Sequence, residues 1–141
     1  MEKFAKALEI YSHQSGASEH EIEALRQKFQ TIPEDYITLA RAMTEIEFKV
    51  VPDGYLRIWR PSGCIEMFEA YNFEKYIPEG FPFGDNGGDK AFLFMRGPSS
   101  EQGVYMVPYG DIDRESSIFL SSTIDDIIYK GIGLNVILQN I

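Results

Sequence analysis

Close to residue 44 the spacing of apolar residues changes from a helical to an extended period, and this switch limits what the chain can fold into. Upstream of it, Phe4, Ala7, Leu8 and Tyr11 recur at i, i+3, i+4 and i+7, which predicts an N-terminal amphipathic helix over residues 2–13 that stops near Gly16. Ser18 stands three residues before Glu21, a capping-box spacing, and Ile22, Leu25 and Phe29 continue on one helical face. Ile32-Pro33 interrupts that face, because proline disfavours helical geometry in the residue before it. Pro33 suits the first position of a new helix, which carries Tyr36, Leu39, Ala40 and Met43 on one side.

Downstream the residues are aromatic, β-branched and alternating. Phe48, Val50 and the run Tyr55–Trp59 flank Pro52-Asp53-Gly54, which is turn chemistry and predicts a β-hairpin. Pro61-Ser62 opens a short helix over Ile65–Ala70. Further strands are expected at Tyr76-Ile77 with Phe81–Phe83, at Ala91–Met95 and at Val104–Val107, separated by glycine-rich turns at 84–88 and 97–103. Ile118–Leu120 reads as another short strand. Ser122 or Thr123 caps a final helix bearing Ile124, Ile127 and Ile128, ended by Gly131. In the tail, Leu134, Ile137, Leu138 and Ile141 fit a helix, while Leu134, Val136 and Leu138 fit a strand. Helices first, strands in the middle and a helix last make an α+β pattern, without the regular βαβ alternation of a parallel sheet.

At 141 residues the chain is expected to form one domain, with enough buried surface to need no disulfide or metal staple. Its net charge is −9 and its pI about 4.7. Binding to nucleic acid or to an anionic membrane requires cationic clusters, so neither is expected; a basic partner suits the charge. The acids are spread between the two halves, with the densest stretch from Glu101 to Asp126. Cys64 is the only cysteine and cannot form an internal disulfide. The N-terminus has no apolar core of a secretory signal, and no apolar run is long enough to span a bilayer. A cytoplasmic protein is expected.

Chemistry-bearing motifs are sparse. His13 and His20 are seven residues apart, which fits no zinc motif, so no metal or cofactor is expected. Cys64 has no local base, and Glu66 beside it opposes a thiolate, so it reads as a structural residue. Gly84-Asp85-Asn86-Gly87-Gly88-Asp89 lacks the lysine and following helix of a phosphate loop and the ligand spacing of an EF-hand; it reads as a tight turn or a partner contact. Glu66 and Glu69 lie i, i+3 on one helix face. With Trp59 and aromatics such as Tyr71, Tyr76 and Tyr109, they admit a carbohydrate-binding or glycoside-acting reading. Core packing is the simpler account of the aromatics. No constellation demands an enzyme.

The order of these pieces carries a resemblance. Ala17-Ser18-Glu19 leads through Ile22 and Leu25 into Ile32-Pro33-Glu34-Asp35-Tyr36. A hairpin ending in Leu56, Ile58 and Trp59 precedes Ile65–Asn72 and Tyr76-Ile77-Pro78. Then come Phe83–Asp89, Phe92 and Phe94, then Val104, Tyr105, Val107 and Pro108, and a terminal helix from near Ser122. From about residue 17 to 130 this resembles the SUKH superfamily, which includes fungal cell-wall-assembly regulators and bacterial immunity proteins. The N-terminal helix and the tail 131–141 read as extensions of that core. The resemblance implies a curved, mostly antiparallel sheet flanked by helices, and a non-catalytic protein that binds other proteins. Bacterial members typically neutralise a polymorphic toxin, often a nuclease; the fungal relatives imply a regulatory scaffold as the alternative. One departure is that the second helix of the family often ends in Asn-Gly, where this chain has Ala42-Met43-Thr44-Glu45. The partner surface is expected to centre on Trp59, Glu66, Glu69, Tyr71, Asp85, Asn86 and Asp89, a mix of aromatic, carboxylate and loop residues.

Overall fold

Between residues 43 and 58 alternation fixes which side of each strand is buried, whereas the later strands are buried almost throughout, over 81–85, 91–93 and 103–107. The computed structural model describes residues 3–141, the Tyr11 side chain excepted. Its elements are β1 (Leu8–Ser15), α1 (Glu19–Lys28), α2 (Glu34–Ala42), β2 (Met43–Val50), β3 (Gly54–Ile58), α3 (Pro61–Ala70) and α4 (Phe73–Tyr76). They continue as β4 (Phe81–Asp85), β5 (Lys90–Arg96), β6 (Gln102–Pro108), a 3-10 turn (Arg114–Ser116), β7 (Ile118–Ser121), α5 (Ile124–Ile128) and α6 (Leu134–Gln139). The strands form one antiparallel sheet in sequence order, β1 through β7, curled into a half-barrel.

Residues opposite one another in an antiparallel ladder share a face. Ile46, Ile58 and Gly84 lie in register on one face, followed by Phe92 and Met106. Leu56, Ile58, Phe83 and Phe92 meet Ile124, Ile127, Ile128 and Ile137 of α5 and α6 around a void too small for a water molecule. The opposite row runs Glu47, Arg57, Asp85, Ala91 and Val107. Phe81 of β4 also packs edge-on against Phe29 after α1 and Tyr36 of α2, at 5.1 and 5.0 Å between ring centres. Both sets of contacts lie on the Phe92–Phe94 face of the sheet, and β4 is buried along its whole length.

Several expectations hold in detail. Ser18 Oγ accepts from Glu21 N–H at 3.1 Å, and Thr123 Oγ1 from Asp126 N–H at 3.0 Å, so both predicted caps form. The tail, whose pattern fits helix and strand alike, is helical, with Leu134 and Ile137 buried. Pro33 caps α2 rather than opening it. Where the family often has Asn-Gly, Met43 turns straight into extended geometry (φ −160°, ψ 155°) and becomes the first residue of β2, opposite Ser15.

Besides that boundary at Pro33, two expectations do not hold. The predicted N-terminal helix is a strand; its residue 2 and the Tyr11 side chain lie outside the described residues. A helix of only twelve residues is marginal alone, whereas β2 offers an edge to which Leu8, Glu9 and Ile10 bond opposite Val50, Lys49 and Phe48. Register shifts on either side of Ser12 bulge this strand. Tyr76-Ile77 is likewise not a strand. Phe73 and Ile77, four apart and both fully buried, instead close the single helical turn of α4.

Gly84 marks the closest approach in the sheet, because a Cβ there would lie 2.2 Å from the Arg57 carbonyl oxygen. Gly84→Ala should cost about 2–3 kcal/mol, read from the urea midpoint at unchanged slope. Gly110→Ala, whose Cβ would meet nothing within 4 Å, should leave the midpoint within about 0.5 kcal/mol.

Candidate functional site

The outward row of the sheet carries charge, and one carboxylate organises it. Trp59 extends β3 by donating its N–H to Phe83 O at 2.8 Å, which aims its indole along the sheet. The indole Nε1–H donates to Asp85 Oδ2 at 2.7 Å, and Arg57 Nη2 reaches the same oxygen at 3.0 Å. Asp85 Oδ1 accepts from Gly87 N–H at 2.7 Å. Trp59 and Asp85 are each 4% exposed. Asn86 Oδ1 accepts from the N–H groups of Gly88 and Lys90, and Gly87 takes a left-handed φ of 78° against the Tyr55 ring. The glycine-rich stretch is thus a turn built from its own side-chain caps.

A second set of bonds adjoins the first. Arg60 Nη2 and Nε hold Glu21 at 2.8 and 2.9 Å, and Arg60 Nη1 donates to Gln14 Oε1 at 2.6 Å. The Arg60 N–H donates to Glu45 Oε2 at 2.7 Å, and Tyr55 O–H donates to Glu47 Oε1 at 2.5 Å. The hydrogen bonds from Arg60, helped by Ser62 N–H, hold the Glu21 carboxyl below its ordinary range. Glu45, Arg57, Trp59, Arg60 and Glu66 line a shallow depression of about 330 Å³ beside the first turns of α3.

At the other end of α3 lies a cleft of about 510 Å³, lined by Tyr71, Asn72, Tyr76, Tyr109, Asp111 and Asp113. The Tyr71 and Tyr109 rings meet at 4.4 Å between centres, tilted by 34°. Burial, reinforced by the nearby Asp85 carboxylate, pushes the Tyr109 hydroxyl up, so it stays a neutral donor. Beneath this surface, Tyr36 O–H donates to Trp59 O at 2.6 Å and Cys64 Sγ lies 3.3 Å from the Tyr36 oxygen. Burial drives the Cys64 thiol far up, leaving it protonated and enclosed.

A model of the SMI1 / KNR4 family (SUKH-1) matches residues 16–130. The chain belongs to this family. No curated protein matches it. SUKH-1 membership supports a protein-binding role, immunity-like or regulatory. Both the depression and the cleft lie within the matched segment, save for Gln14. Among the described residues no helix is long and apolar enough to cross a membrane, and no group of three or more His, Cys, Asp or Glu is placed to hold a metal ion.

In this SUKH-1 domain the seven residues expected at a partner surface separate into groups. Trp59 and Asp85 come together but underneath, so the Trp59 ring is unavailable for stacking on a sugar or a partner. Glu66 is exposed beside the depression, whereas Glu69 pairs with Lys28 of α1 at 3.2 Å. Tyr71 opens the cleft and is 42% exposed. Asp89 is exposed beside Lys90 at 3.1 Å, and half-buried Asn86 is committed to its turn. Arg57, Arg60 and Glu45 were not singled out from sequence, and Glu21 only for its capping-box spacing. The ladder position of Arg57 opposite Glu47 was available in the hairpin pattern; the reach of Arg60 to Glu21 was not.

Asp85→Ala should remove about 3 kcal/mol of stability, because the Trp59 and Gly87 N–H groups then lose their buried acceptor. Trp59 fluorescence during denaturant unfolding reads this directly. The Glu21–Arg60 pair carries a pH signature. A lowered carboxyl contributes fully above the unfolded value of 4.5 and loses its contribution as pH falls through the lower folded value. The stability gap between the wild type and Glu21→Gln should therefore be widest above that value and close on further acidification, in a series of urea midpoints against pH.

Proposed function

We propose that the chain is a non-catalytic, cytoplasmic immunity-type protein that binds a cognate bacterial toxin and occludes it. The observation that carries this reading is a set of carboxylates left without a cationic partner along α3. Glu47 and Glu66 lie at or near the depression, and Asp111 and Asp113 lie at the cleft; none has an ion pair among the described residues, whereas Glu45 lies in the field of Arg57 and Arg60. The remaining acids of that surface, Glu21, Asp85 and Asp89, are satisfied by Arg60, Arg57 and Lys90. The surface therefore presents carboxylates whose charge no salt bridge of the described residues neutralises.

A nuclease binds its substrate through Lys and Arg, and a carboxylate-rich inhibitor engages those groups in place of phosphates. Complementary fields also speed encounter and make it salt-dependent. Occlusion needs no chemistry from the inhibitor, which agrees with a buried, protonated Cys64. The test is co-expression with the toxin domain encoded by the neighbouring gene. A stable complex and restored growth are expected, with the double charge reversal Glu66→Lys and Asp89→Lys weakening binding at least about tenfold. Unchanged binding and protection by that folded double variant would overturn the assignment of this surface.

A further inference from the structure

The tyrosine cleft beyond α3 contains more polar capacity than the fold uses. The hydroxyls of Tyr71, Tyr76 and Tyr109 and the side-chain amide of Asn72 form no hydrogen bond with any described residue. Tyr71 and Tyr76 are 42% and 51% exposed, unusual for aromatic rings gathered around one concavity. Asn72 is held in left-handed geometry (φ 55°) at the start of α4, and Tyr109 is anchored by its N–H to Asp89 O at 2.8 Å. Two carboxylates complete the rim. Asp111 uses one oxygen for Ser116 Oγ at 2.5 Å, and Asp113 uses one for the Glu115 N–H at 3.4 Å, so each keeps a second oxygen. The Lys75 ammonium lies over the Tyr76 ring at 5.4 Å from its centre.

We propose that this cleft is the anchor pocket for an arginine side chain of a protein partner. The inference rests on the protein-binding reading above and names the chemistry of the partner's central contact. A guanidinium is flat, hydrogen-bonds through five N–H donors and stacks on aromatic faces. The exposed side of Tyr71, backed by the Tyr109 ring, supplies a face, and Asp111 and Asp113 supply acceptors for the donors. The phenol oxygens and the Asn72 carbonyl are further acceptors. A neutral sugar would leave the two carboxylates without a positive partner, in a chain already at −9.

The direct probe is the blocked peptide acetyl-Gly-Arg-Gly-amide, titrated into the ¹⁵N-labelled full chain and compared with the same peptide bearing citrulline, the uncharged isostere. The arginine peptide should give saturable shifts at the amides of Tyr71, Tyr76, Gly110 and Asp113, weakening about threefold in roughly 0.5 M salt. Citrulline should bind about tenfold more weakly. Gly110 allows a clean block, because it lines the cleft and has open space where its Cβ would stand. Gly110→Trp should abolish the shifts while the unfolding midpoint stays within a few degrees, and Tyr71→Ala should weaken them about tenfold. Equal shifts from both peptides, shifts scattered over other acidic positions, or full binding by Gly110→Trp would each overturn the proposal. The two readings fail separately. A neighbouring-gene toxin bound equally well by Gly110→Trp removes the cleft and leaves immunity standing; peptide shifts confined to the cleft without a toxin complex do the reverse.

Discussion

The sheet depends most on one buried carboxylate. Between β3 and β4 the ladder runs to only two paired positions, Arg57 with Asp85 and Ile58 with Gly84, the shortest seam among the described strands. That seam joins the β1–β3 portion to the β4–β7 portion. Side chains reinforce what little backbone pairing there is. Asp85 draws Trp59 and Arg57 from β3 and Gly87 from its own turn onto one group. A carboxylate this buried is tolerated because its donors replace the water it loses, and the arrangement then fixes register, since a one-residue slip would carry Asp85 to the apolar face.

Much of the architecture was legible because it rests on local signals. The Pro52-Asp53-Gly54 turn, the alternation of β2, the caps of α1 and α5 and the strands β5 to β7 all follow from residues within a few positions of one another. The misread segments are those decided from a distance. Phe4 to Tyr11 repeats at a helical period, yet the strand forms because β2, more than thirty residues away in the chain, needs a partner edge. At Tyr76-Ile77 two residues carried the extended reading, while the spacing of Phe73 and Ile77 decided for a helical turn.

The site was legible in composition more than in geometry. Tyr71, Glu66 and Asp89 are surface groups as their sequence context implies. Trp59 and Asp85 are not, because Ile58 and Trp59 are both buried where alternation would expose one, and because Asp85 is matched by an arginine 28 positions earlier. A carboxylate among glycines looks solvated when read along the chain. Only the ladder reveals that its neighbours are an indole and a guanidinium.

The half-barrel does not close among the described residues, and so β1 and β7 are its edge strands. An open edge is a template for pairing with another chain. Here β7 spans only Ile118–Ser121, too short to recruit a long partner strand. β1 is longer, but its bulges around Ser12 interrupt a regular row of donors and acceptors, and the segment Ser12–Ser15 is polar and exposed. The irregularity that makes this strand hard to recognise is therefore also one that disfavours edge-to-edge addition of a further strand.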